Sequence, residues 1–126
     1  MNSRDKGKRG EREAAKYLRE LGFEDAVRTQ QYNGLGESDV ICPMSLPNLH
    51  IEVKYGKSYQ LGNAAWEDAL FQADRDAKGK PWVVLWRENR QKWRLSYMQD
   101  DGTLATFIGN VDIAFILRSR ANETGN

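Results

Sequence analysis

The apolar residues of this chain change their period twice, and that change limits it to an α/β fold. Ala14, Ala15, Leu18 and Leu21 recur at helical spacing, so residues from about Arg9 to Leu21 predict an amphipathic helix with Gly22 as its C-cap. Farther on, Ile51, Val53 and Tyr55 alternate with His50, Glu52 and Lys54, which is the signature of a strand with two distinct faces. Helical spacing then returns in Trp66, Ala69, Leu70, Ala73 and Ala77, predicting a second helix over Ala64 to Lys78 that stops at Gly79 and Pro81. Around these, Ala26 to Gln31 reads as a strand, Asn33-Gly34-Leu35-Gly36 as a turn, and Val40-Ile41-Cys42 as the second arm of a hairpin. Trp82 to Arg87 reads as an interior strand, hairpinned to Lys92 to Met98; Thr103 to Ile108 is a short strand and Val111 to Arg118 a closing helix. The order αβββαβββα predicts a mixed sheet flanked by helices.

Without internal repeats, 126 residues and 14.5 kDa leave room for one domain. That domain is expected to span 1–126, with residues 1–8 as a basic, flexible arm and 119–126 as a flexible tail. No apolar run is long enough to cross a bilayer, and the basic N-terminus lacks the apolar stretch of a secretory signal, so an intracellular, cytoplasmic protein is expected. The single Cys42 excludes an internal disulfide, and one His with one Cys excludes a structural zinc site. Nineteen basic residues against 18 acidic ones give a net charge of +1, but the distribution is uneven. Residues 1–12 carry Arg4, Lys6, Lys8, Arg9 and Arg12 against Asp5 and Glu11, which marks this end as the candidate anion-binding surface.

Three carboxylates occupy positions where a carboxylate is costly. On a helical wheel Glu11 falls on the inward stripe among Ala14, Ala15 and Leu18, whereas Glu13 points the opposite way. Asp39 stands at the entry of an apolar strand, and Glu52 projects beside Lys54 from one strand face. Converging carboxylates repel one another, and hard oxygen ligands of this kind suit Mg²⁺, with Mn²⁺ as a substitute. A neighbouring Lys can orient an attacking water and stabilise charge on a phosphate. Asp39 with Glu52-Val53-Lys54 is therefore what metal-dependent phosphodiester hydrolysis needs; the competing reading of the strand pair alone is an edge salt bridge. Asp76-Ala77-Lys78 has the same spacing but falls on a helix, where such residues do not face each other.

This order of helical Glu, turn, Asp and Glu-x-Lys strand resembles the PD-(D/E)xK nuclease superfamily. Within it, Lys6-Gly7-Lys8-Arg9-Gly10-Glu11-Arg12 through Leu18, Gly22 and Phe23 is similar to the opening of archaeal-type Holliday junction resolvases, and the small size to resolvases encoded by bacteriophages. The likeness is best from Lys6 to Ser58, weaker over Gln72-Ala73 and Pro81 to Arg87, and slight after Arg90. It implies a restriction-endonuclease-like α/β domain in which Asp39, Glu52 and the Val53 backbone carbonyl hold the metal, joined by Glu11, and Lys54 is catalytic. Gln72 is implied as a supporting residue, against a solvated role. Where the superfamily usually has Pro before the Asp, this chain has Ser38, a candidate for contact with phosphate or water.

DNA contacts are expected from Lys6, Lys8, Arg9 and Arg12 beside the metal site, and from Arg28, Tyr32, Ser38 and Lys57 near the other motif residues. The lone His50 shares the face of Glu52 and Lys54, with a peripheral or DNA-facing role favoured over that of a base. Trp66, Trp82, Trp86 and Trp93 are read as structural and not as a base-stacking set, and Phe71 as a candidate subunit contact. The resemblance thus implies a Mg²⁺-dependent endonuclease acting on branched DNA as a homodimer, in a host's cytoplasm if phage-encoded. Two alternatives stand beside it: a nuclease of the same superfamily for linear duplex, flaps or single strands, and a noncatalytic DNA-binding accessory protein of the same fold.

Overall fold

A computed structural model describes residues 3–29, 38–56 and 64–123, without the side chains of residues 3–6 and 65. Its elements are α1 (Ser3–Glu20), β1 (Val27–Arg28), β2 (Val40–Ile41), β3 (His50–Gly56), α2 (Ala64–Ala77), β4 (Trp82–Glu88), β5 (Arg94–Met98), β6 (Leu104–Phe107) and α3 (Asn110–Asn122). The order is the predicted αβββαβββα, with one six-stranded sheet in the spatial order β1-β2-β3-β4-β5-β6. All neighbours pair antiparallel except β3 and β4, which are parallel, so the sheet is mixed and α2 is the crossover between them.

Boundaries shift more than elements do. α1 starts at Ser3 and not near Arg9, so residues 3–8 extend the helix instead of forming a separate arm. α3 runs to Asn122 and buries Ala121, so residues 119–122 are helix and not tail. β1 and β2 pair as the expected hairpin, Val27 opposite Ile41 and Arg28 opposite Val40, while the turn at Asn33-Gly34-Leu35-Gly36 lies outside the described residues.

Layering follows from the strand periodicities. Ile51 and Val53 of β3, with Val83 and Leu85 of β4, join Ala14, Ala15 and Leu18 of α1 and Ile113, Leu117 and Ala121 of α3 in one buried cluster. Trp82, Val84 and Trp86 point to the opposite face and meet Trp66, Ala69, Ala73 and Ala77 of α2 in another. With helices on both of its faces β4 is apolar along nearly its whole length, whereas β3 has polar residues on its α2 face. All four tryptophans are buried, as expected of core residues.

Two glycines shape α1. Gly22, at φ 109°, ends it in a Schellman turn: Phe23 N–H donates to Leu18 O at 3.0 Å and Gly22 N–H to Arg19 O at 3.0 Å. Gly10 lets α1 touch β3, since a Cβ there would lie 2.5 Å from Tyr55 Cβ. Glu13, expected to point outward, instead has Oε2 buried and 3.7 Å from Arg87 Nη2, because that guanidinium, stacked over Tyr55 and Trp93, extends back to α1.

Candidate active site

The polar face of β3 is buried at its start and opens at Lys54. His50 and Glu52 are each 1 % exposed, and the Lys54 side chain reaches 22 %. The parallel register sets these three residues opposite Trp82, Val84 and Trp86, the residues that pack on α2, so the polar stripe runs beneath α2. At its outer end Lys54 Nζ donates to Gln72 Oε1 on α2 at 2.9 Å and lies 3.8 Å from Glu52 Oε2. Gln72 therefore meets the lysine directly and is not simply solvated.

Asp39 enters from the residue just before the neighbouring strand β2. Its backbone N–H donates to Ile51 O at 3.0 Å, and its Oδ2 accepts the Val53 N–H at 2.8 Å. Val53 is the residue between Glu52 and Lys54, so this one bond holds Asp39 against the middle of that segment, near enough to Glu52 for the two carboxylates to interact. Burial, then the charge of Glu52 and more weakly that of Glu11, raise the Asp39 carboxyl to about 8, against the opposing pull of the Val53 N–H. The two strand carboxylates thus share a region too poor in solvent and too negative for both to be charged at ease. That is the electrostatic setting a divalent cation relieves.

Glu11 lies near enough for its charge to act on Asp39, but its Oε1 is engaged by Arg28 Nε at 3.2 Å. Arg28 is a correction to the sequence reading. Only 7 % of its side chain is exposed, because β1 turns it inward as the partner of Glu11, so it does not face outward to DNA. Ser38 is a second correction: it is buried, its hydroxyl 2.8 Å from His50 Nδ1 and its carbonyl accepting a bond from the Thr29 hydroxyl. His50 is a third. It is buried and bonded, its Nε2 lying 3.0 Å from Glu52 Oε1, and has neither a peripheral nor a DNA-facing position.

Lys8, Arg9 and Arg12 all lie on α1, where Arg9 pairs with Glu13 at 3.4 Å. Lys6 is on α1 too, with its side chain outside the described atoms, while Tyr32 and Lys57 lie outside the described residues. Among the described residues, no three His, Cys, Asp or Glu side chains are grouped as a metal site. The site offers two carboxylates, Asp39 and Glu52, and the third is turned to Arg28. As a donor set, two hard oxygen groups, one within β3 and one just before β2, with their charges unfavourably close, fit a Mg²⁺-like ion that keeps several of its waters.

A mixed sheet that delivers an Asp to the backbone of a Glu-x-Lys strand, with a crossover helix returning a Gln to the Lys, is the arrangement of the PD-(D/E)xK nucleases. The family model of the archaeal Holliday junction resolvase (Hjc) matches residues 2–112, and the chain belongs to that family. It is a resolvase-type nuclease. The match continues well past Arg90, so the sequence reading set the limit of the resemblance too early: β5, β6 and the start of α3 belong to the family pattern. Comparisons with curated proteins and with solved structures gave no match. The described residues include no helix long and apolar enough to cross a membrane.

Proposed function

We propose that the protein is a Mg²⁺-dependent, structure-selective DNA endonuclease that hydrolyses phosphodiester bonds at four-way junctions in recombination or replication. The observation that carries this reading is the bond from Val53 N–H to Asp39 Oδ2, which brings one carboxylate against the strand on which a second, Glu52, lies 3.8 Å from the ammonium of Lys54.

Asp39 and Glu52 would hold the cation, with the Val53 carbonyl beside them, because a strand residue presents its N–H and C=O to the same edge and the Val53 N–H faces Asp39. When bound, the cation supplies Lewis-acid polarisation of a phosphoryl oxygen and lowers the pKa of a water. Lys54 acts from its position against Gln72, its N–H groups directed to the attacking water and to the charge that builds on the phosphate. Gln72 is a positioning residue: its amide oxygen limits the four torsions of a lysine to those that keep Nζ over the site. Arg28 holds Glu11 at the margin, where its charge completes the negative field. Lys8, Arg9 and Arg12 on α1 would meet backbone phosphates, contacts that read shape and charge and not sequence.

Each chain has one such site and a junction needs two opposed nicks, so the active species in this reading is a twofold-symmetric homodimer. Phe71, 72 % exposed on α2, is available for that contact. Light scattering should then give twice the 14.5 kDa of the chain.

The deciding experiment is cleavage of a synthetic four-way junction and of a linear duplex of matched sequence, with and without Mg²⁺. Paired nicks in the junction alone, only with Mg²⁺, are expected. Asp39→Asn and Glu52→Gln should abolish cleavage and leave junction binding intact. Equal cleavage of the linear duplex would move the substrate to unbranched DNA, and absence of Mg²⁺-linked cleavage by the folded protein would leave a noncatalytic binding protein.

A further inference from the structure

His50 lies outside the motif that defines the site, and its burial gives it no access to DNA. Its two ring nitrogens are both engaged: Nδ1 lies 2.8 Å from Ser38 Oγ, and Nε2 lies 3.0 Å from Glu52 Oε1. The three residues form a buried chain, with Ser38 7 % and both others 1 % exposed. The chemistry of the acceptors orders it. An ionised Glu52 only accepts, so a neutral His50 carries its proton on Nε2 and donates it to Oε1, which leaves Nδ1 to accept the Ser38 hydroxyl.

Ser38 immediately precedes Asp39, so the loop entering β2 is tied to β3 at three points. Asp39 N–H donates to Ile51 O, the Asp39 carboxylate accepts Val53 N–H, and Ser38 reaches Glu52 through His50. A glutamate has three torsions, and the bond from His50 Nε2 to Oε1 restricts them. Anchoring Oε1 leaves Oε2 outside the His50 bond and turned to the open end of the stripe, 3.8 Å from Lys54 Nζ.

We propose that His50 is a positioning residue, which with Ser38 holds Glu52 in the rotamer that presents Oε2 to a divalent cation. Ser38, where the superfamily usually carries Pro, thus acquires a role as the outer anchor of this chain. The inference rests on the reading of Asp39 and Glu52 as cation ligands, and the test separates the two.

Mn²⁺ is titrated into the DNA-free protein and followed by electron paramagnetic resonance, for wild type, His50→Phe, His50→Gln and Ser38→Ala, with a melting curve for each. His50→Phe fills the ring's volume without either polar atom, and should weaken Mn²⁺ binding by the roughly 10- to 100-fold typical of lost hydrogen bonds behind a metal ligand. His50→Gln, whose amide offers one donor and one acceptor, should recover part of that loss. Ser38→Ala should weaken binding less than His50→Phe, because the bond to Glu52 survives. A purely structural histidine would lower the melting temperature of His50→Phe and leave the Mn²⁺ affinity of the folded fraction at the wild-type value; that result overturns the proposal. If His50→Phe does not fold, wild-type affinity in Ser38→Ala combined with no difference in His50→Gln overturns it equally. Failure of wild type itself to bind Mn²⁺, or binding indifferent to Asp39→Asn, would instead remove the cation reading on which the inference stands.

Discussion

At the scale of single residues the site is a place where stability is given up. Asp39 titrates near 8 in the folded protein and near its ordinary 3.8 when unfolded, so between these values the native state keeps a proton that the unfolded state has lost. By linkage, stability from this group is complete below about pH 4, falls as pH rises, and is lost above about pH 8. The cation-free protein should therefore melt at a lower temperature at about pH 8.5 than at about pH 5.5. Asp39→Asn should flatten that dependence, since its amide has no charge to bury and still accepts the Val53 N–H. Differential scanning calorimetry in EDTA checks both, and added Mg²⁺ should restore the wild type at the higher pH while leaving Asp39→Asn unchanged. Lys54 offers a second prediction. Removing a hydrogen bond to a charged group costs about 1.5–3 kcal/mol, or about 10- to 100-fold in rate. Gln72→Ala should lower single-turnover junction cleavage by that factor with an unchanged dissociation constant for the junction.

At the scale of elements, the approach of α1 to β3 decides whether Glu11 belongs to the site at all. Gly10 makes that approach, and two opposing effects meet there. Alanine is the better helix former by about 1 kcal/mol, but its Cβ would stand 2.5 Å from Tyr55 Cβ, a rigid atom close to the backbone. Overpacking of this kind costs about 1–3 kcal/mol, so Gly10→Ala should be a net destabilisation and should reduce cleavage by withdrawing Glu11. Gly7→Ala, on the same helix with open space around its Cβ, should be neutral or mildly stabilising. Urea unfolding of the two variants, read beside their junction-cleavage rates, tests the distinction. The parallel β3–β4 pair acts from the other side of the sheet, because its register keeps Glu52 and Lys54 under α2, within reach of Gln72.

At the scale of the whole molecule, a net charge of +1 conceals an asymmetry that the fold makes spatial. The basic residues Lys8, Arg9 and Arg12 share α1 with Glu11, while Glu52 is buried in the sheet and Asp39 is half-buried beside it. Junction binding by Asp39→Asn, which cannot cleave, should weaken linearly in log K against log salt concentration. In that background Lys8→Ala and Arg12→Ala should each reduce the slope by about 1. Fluorescence anisotropy across a series of salt concentrations measures it.

The order of helices and strands, the sidedness of β3 and the tryptophan core were legible in the sequence because periodicity is local: one side chain in two or in three to four must meet the core whatever else surrounds it. Asp39, Glu52 and Lys54 were legible for the same reason, a carboxylate on an apolar pattern being an exception that demands a cause. What local pattern cannot carry is partnership across the chain. Arg28 and Ser38 read as surface residues until β1 and the entry to β2 turned them toward Glu11 and His50. His50 itself left a faint signal, sharing a face with Glu52 two residues on, yet nothing in its neighbours fixes its burial. Gly10 is an unforced glycine in a helix until Tyr55 lies against it. Which residues are costly to place is thus written along the chain, in the mismatch between a side chain and the pattern around it. Which of those costs a partner meets is settled in three dimensions, because distances between segments far apart in the chain are set by packing and not by spacing.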